Sequence, residues 1–116
     1  MRQLLLTLGL LSLSFALPAS ETSEEEISYL ISFVSASGCT FHRNGTDHPA
    51  TEAAEHLQLK IRRGSRYADS AEHFIDRLAS ASSWSGKPYR VTCEGKTEPS
   101  RDWLYRALGQ HRADSR

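Results

Sequence analysis

Between Cys39 and His56 the chain places one cysteine and three histidines (His42, His48 and His56) within eighteen positions. Cys39 and His42 stand in C-x-x-H spacing, and His48, Glu52 and His56 recur at every fourth residue. If a helix begins by His48, those three lie along one face, where adjacent members can share a metal ion. Two features oppose that chemistry. Pro49 biases His48 away from helical backbone, and a structural zinc site closes four ligands where no credible fourth stands near. His48, Glu52 and His56 are thus candidate metal ligands, and a polar helix face beside a disulfide-bearing turn is the plainer reading.

Nucleophilic chemistry has less to stand on. Ser80, Ser82, Ser83 and Ser85 crowd one segment, but no G-x-S-x-G elbow surrounds any of them. A Cys–His enzyme needs a free thiolate, which a disulfide denies. No cofactor motif occurs. The run KIRRGSR gathers Lys60, Arg62, Arg63 and Arg66. It reads as a solvated helix end, favoured by the helix dipole, or as a patch for anionic partners such as lipid head groups or acidic glycans. The segment SSWSGKPYRV carries Trp84 and Tyr89 on a small-residue loop. Aromatic burial dominates small cores, so Trp84 is expected to plug the core. If exposed, Trp84 and Tyr89 are the natural anchors for a partner.

Four amphipathic segments must position these residues. In EEEISYLISFVSASG, Ile27, Leu30, Ile31 and Val34 form one stripe, with acids at the start and Gly38 to end it. HPATEAAEHLQLKIRRG carries Ala50, Ala53, Ala54, Leu57 and Ile61, with Pro49 near its first turn and Gly64 past its end. DSAEHFIDRLASAS has an apolar face of Ala71, Phe74, Ile75 and Leu78, and Asp69 with Glu72 has the spacing of a capping pair. The fourth, PSRDWLYRALGQHR, offers Trp103, Leu104, Ala107 and Leu108.

Two short stretches have strand character. CTFHRNG alternates and ends on the turn signal Asn44-Gly45, and PYRVTCEG sets Tyr89, Val91 and Cys93 on one face. Antiparallel pairing that puts Cys39 opposite Cys93 also puts Phe41 opposite Val91 and Arg43 opposite Tyr89, so the apolar faces coincide. A slip of one residue destroys that match. The expected fold is mainly α: about four amphipathic helices with a small two-stranded antiparallel ribbon tied by a disulfide, and no internal repeat. Arg43, Trp84 and Tyr89 are the candidate binding surface, because a ribbon held rigid by a disulfide can fix a donor fork beside aromatic area.

The amino terminus sets the compartment. Arg2, an uncharged apolar run from Leu4 to Leu17, and small residues at Ala16 and Ala19 have the layout of a secretory leader. The run is fourteen residues long, short of the roughly 20 a membrane span needs. Residues 1–19 are therefore expected to be a signal peptide, and 20–116 one small helical domain, ordered over about 24–112. Without Arg2, thirteen basic residues face fourteen acidic ones, a net charge of −1. That balance argues against nucleic-acid binding, which depends on neutralising phosphates. In an oxidising compartment the two cysteines, Cys39 and Cys93, are expected to pair. The loop they close, about 55 residues, is worth roughly 4 kcal/mol in the chain-entropy model.

FHRNG, HPATEAAEHLQLKIR, SAEHFIDRLASASSWSGKPYRVTC and WLYRAL, in this order, resemble the YfeK-like family of small exported bacterial proteins. The resemblance covers about residues 26–112 and implies a bacterial, periplasmic protein without assigning any catalytic residue. It also removes the interest of Asn44-Gly45-Thr46 as a glycosylation acceptor. The expected function is a non-catalytic envelope protein that binds a macromolecule or a small ligand. The alternatives are an enzyme of unassigned reaction and a metal-binding protein using His48, Glu52 and His56. No nucleic acid, and no membrane span after leader cleavage, is expected.

Overall fold

The computed structural model describes residue 9 and residues 19–116. The proposed leader therefore falls almost wholly outside the described residues. The elements run α1 (Ala19–Ala36), β1 (Thr40–Arg43), β2 (Thr46–Pro49), α2 (Ala50–Arg63), a 3-10 turn (Ser65–Tyr67), α3 (Ala71–Phe74), β3 (Arg90–Cys93), β4 (Lys96–Pro99) and α4 (Ser100–Asp114). α3 continues without a break into a π-helical turn over Ile75–Ala79. The buried stripes follow the four apolar faces read from the sequence, Ile61 of α2 being only partly buried, and they meet in one core around Phe74, Leu30, Ile75, Leu104 and Leu108. No helix among the described residues is long and apolar enough to cross a membrane.

The ribbon is a correction. In place of two strands there is a four-stranded antiparallel sheet in the order β2-β1-β3-β4. The central pair has the expected register, with Phe41 opposite Val91, and the ladder runs from Thr40–Thr92 to His42–Arg90. Cys39 and Cys93 flank it and are bonded, with Cα atoms 4.7 Å apart. Each central strand then folds back on itself. Asn44-Gly45 has φ values of 51° and 79°, and Glu94-Gly95 has 50° and 79°. Both turns hold two successive residues in the left-handed region, as tight hairpins demand. The edge strands TDHP and KTEP are short, polar and end in proline, so they carry no hydrophobic alternation. Proline and polarity are how exposed edges resist further pairing.

The chain also contains a repeat, contrary to the sequence reading. β1, β2 and α2 begin at 40, 46 and 50, and β3, β4 and α4 begin at 90, 96 and 100, fifty positions later in each case. Ile27, Leu30, Ile31 and Val34 of α1 match Ala71, Phe74, Ile75 and Leu78, forty-four positions on. The fold is one helix–hairpin–helix plan used twice, with the two hairpins joined through β1 and β3. The six extra residues of the second half lie between Leu78 and Arg90. They build the π turn's exit and the loop that carries Trp84. The start of α3 differs in detail too: the Ser70 side chain, not an Asp69–Glu72 pair, accepts the His73 backbone N–H at 3.0 Å. Asp69 instead pairs with the His73 ring.

Candidate functional site

The inserted loop folds against the first hairpin. Trp84 and Ser85 each donate a backbone N–H to Ser82 Oγ at 3.2 Å. Gly86 N–H closes on Ser82 O at 2.9 Å, and Ser82 N–H on Lys87 O at 3.0 Å. Asn44, at the hairpin tip, clasps the loop from outside: Nδ2 donates to Ser82 Oγ at 3.1 Å, and Ser85 Oγ donates to Oδ1 at 2.5 Å. The small-residue loop is tied down at both ends. Its serines serve as acceptors and donors for backbone groups, which is how short polar side chains stabilise turns.

Loop, hairpin and α2 enclose a cavity of about 470 Å³. Arg43, His56, Trp84 and Tyr89 all line it, so the residues singled out from the sequence converge. Their roles differ from expectation, however. Tyr89 is 8% exposed and belongs to the wall, while Trp84 is 90% exposed and stands on the rim. The expectation that Trp84 plugs the core is therefore wrong. The core is already filled by Phe74 and Trp103, and Trp84 sits in the extra segment that the repeated plan does not need.

The cavity is cationic. Arg43, Lys60, Arg63 and Arg77 line it, and no aspartate or glutamate does so. Among the described residues none of the four is hydrogen-bonded to or paired with a carboxylate. Three arginines elsewhere are paired: Arg101 with Asp76, Arg106 with Glu98, and Arg112 with Glu26 and Glu72. The related position in the second half makes the contrast plain. Fifty residues after His56 stands Arg106, closed by two 2.6 Å hydrogen bonds to Glu98. Fifty after Lys60 stands Gln110, bonded to Asp114 at 2.9 Å.

Lys60 donates to Tyr89 Oη at 3.1 Å and to Ala81 O at 3.2 Å. Burial, followed by the nearby Arg43 charge, brings its ammonium down to about 8. His56 Nε2 lies 3.5 Å from the same Tyr89 hydroxyl. Burial first, then Arg43, Lys60, His48 and Arg63, holds the imidazole down to about 4, so it is neutral at physiological pH. Burial raises the Tyr89 phenol, partly opposed by Arg43. Burial is the main cause of all three shifts, and the Arg43 charge adds to it at Lys60 and His56 and opposes it at Tyr89.

A second, smaller cavity of about 30 Å³ adjoins the first, and Arg43, His56 and Tyr89 line both. Its walls are largely apolar, from Val34, Phe41, Ala53, Leu57 and Leu104. Ser100 Oγ also lines it, buried and without a hydrogen-bond partner among the described residues.

The candidate metal ligands do not assemble. α2 begins at Ala50, so His48 belongs to β2 and its Nδ1 meets Glu52 at 2.8 Å. His56 turns instead toward Tyr89. Among the described residues no three His, Cys, Asp or Glu side chains gather closely enough to hold a metal ion. His42, the other histidine of the cluster, lies between Asp47 and Thr92 at 2.6 Å from each. The sequence offers Lys60 and Arg63 as part of a basic patch but gives no sign that they join Arg43, Trp84 and Tyr89, and it does not mark Arg77 or Asn44 as site residues. The signal for Lys60 and Arg63 is the basic run at the end of α2, whereas Arg77 and Asn44 join only through the tertiary fold.

Residues 21–112 match a family of unknown function, DUF5329. The chain is also 52% identical over 50 residues to the uncharacterized protein YfeK of Salmonella typhimurium, a match spanning 43% of this chain and 42% of that relative. No solved structure matches the chain. With the family matched over nearly all of its described length, the chain is a member of the DUF5329 family.

Proposed function

We infer that the protein is a binding module for an anionic ligand, held in the cavity between the first hairpin, α2 and the Trp84 loop. The observation that carries this reading is the set of four basic side chains, none in a salt bridge, around one cavity with no acid in its walls. In a chain whose formal net charge is zero, such segregation is local, and clefts of one sign concentrate ligands of the other. Arg43 offers a planar fork suited to a phosphate or carboxylate, and Lys60 a point charge at the floor. A site in the periplasm fits the leader-like amino terminus and the Cys39–Cys93 bond. A titration of isotope-labelled protein with sulfate and with glycerol phosphate tests the reading. Amide shifts are expected at Arg43, Asn44, Lys60 and Ser82 to Trp84, and shifts spread over the surface or confined to β4 and α4 would refute it.

Lys60 supports a second reading, in which the protein is an enzyme. A half-buried amine near 8, with a phenol at 3.1 Å to relay a proton, can attack a carbonyl as the free base. Borohydride reduction in the presence of pyruvate tests it: the enzyme reading requires a covalent adduct on Lys60 in preference to Lys87 and Lys96.

A further inference from the structure

The anion-site reading leaves the source of the anion open, and the rim of the cavity bears on it. We propose that this rim docks on a bilayer containing anionic phospholipid, with a headgroup phosphate entering the cavity and Trp84 seated in the interfacial layer. The proposal rests on the anion-site reading.

Among the described residues two large hydrophobic side chains are exposed, Trp84 at 90% and Tyr67 at 39%, and both line this one cavity. An indole and a phenol are the side chains that prefer the boundary between hydrocarbon and water. The Trp84 loop does not collapse to hide its ring, because Ser82 and Asn44 tie it through the hydrogen bonds described above. Around the aromatic pair stand exposed basic groups. Arg63 and Arg77 line the cavity, Lys87 follows in the same loop, and the Arg66 guanidinium lies 4.7 Å from the centre of the Tyr67 ring. Basic side chains beside interfacial aromatics are the means by which a protein without a spanning helix attaches to an anionic surface.

A protein partner fits less well. A protein hot spot sets its anchor within a collar of neighbours that exclude water. Trp84 is flanked by Ser83, Ser85, Gly86 and Lys87, all exposed. The surroundings are wet and charged, as at a headgroup layer.

Co-sedimentation of the purified full chain with vesicles tests the proposal. Two compositions are compared: equal parts phosphatidylglycerol and phosphatidylcholine, and phosphatidylcholine alone. Association is expected with the anionic vesicles, at least about tenfold weaker with the neutral ones, and reversed by high salt. Trp84 emission should move to the blue on binding, and Trp103, only 8% exposed, should not contribute. Trp84→Ser should weaken association with the anionic vesicles about tenfold. Equal attachment to both vesicles, or attachment indifferent to Trp84→Ser, would overturn it. So would binding of soluble glycerol phosphate without vesicle attachment, a result that leaves the anion site standing. If neither glycerol phosphate nor vesicles bind, the anion site fails as well.

Discussion

Lys60 Nζ lies 3.1 Å from the Tyr89 hydroxyl, joining the last turns of α2 to the residue that leads the Trp84 loop into β3. This bond holds a cation in the cavity wall where burial resists its charge. Two opposite pH dependences follow. Anion binding needs the ammonium, so affinity for sulfate, whose charge is constant in this range, should fall as pH rises through about 8. Stability should move the other way. The folded pKa of about 8 lies below the ordinary 10.5, so between those values the unfolded chain holds the extra proton and Lys60's contribution favours folding as pH rises. Calorimetric titration with sulfate across that window, on the native protein and on Lys60→Met, checks the first slope. A profile unchanged by Lys60→Met would mean the lysine takes no part.

His56 gives the acid limb. Its imidazole is held down to about 4 from 6.5, so the unfolded chain takes up the proton first as pH falls. Stability should drop as pH is lowered from about 6.5 toward about 4, the cost of burying a charged ring beside Arg43, Lys60, His48 and Arg63. Urea midpoints over that range should decline, and His56→Gln should flatten the decline. An identical decline in His56→Gln would assign it to other groups.

The sequence reveals the interior of this fold better than its edges. Ile27, Leu30, Ile31 and Val34 announce α1 because burial imposes helical spacing on apolar residues. Phe41 and Val91 mark the central register because a one-residue slip would turn one of them off the core side. β2 and β4 carry no such mark. Their residues are nearly all polar, and what defines them is the left-handed turn at Asn44-Gly45 and again at Glu94-Gly95. Read together, X-Gly followed four residues later by Pro49, and again by Pro99, would have disclosed both hairpins and the repeat. The site is legible in part. Arg43 and Tyr89 follow from the register, but Arg77 arrives through the π turn at Ile75–Ala79, which no local pattern signals. Trp84 is misleading because its size argues for burial, whereas its position in the inserted segment decides for exposure.

Arg112 provides a test of the scaffold that is independent of the site. Near the end of α4 its guanidinium donates to Glu26 at 2.6 and 2.9 Å and to Glu72 at 2.5 Å, linking α1 and α3. Glu26 is largely buried, and the Arg112 hydrogen bond is the main cause that holds its carboxyl below the usual range. Arg112→Ala strands that carboxylate and should cost about 2 kcal/mol by urea unfolding at neutral pH. A loss under about 0.5 kcal/mol would place the cluster among surface pairs of little consequence.

The most direct measurement on the account as a whole is made at Arg43, which lines both cavities and has no carboxylate partner among the described residues. Arg43→Ala removes a cation that no described acid relies on, so the melting temperature should stay within a few degrees. Affinity for glycerol phosphate should fall by about tenfold, the loss of one charge-assisted contact. An anion site predicts that pairing of outcomes. A sharp loss of melting temperature with affinity intact would make Arg43 a structural residue and contradict the assignment.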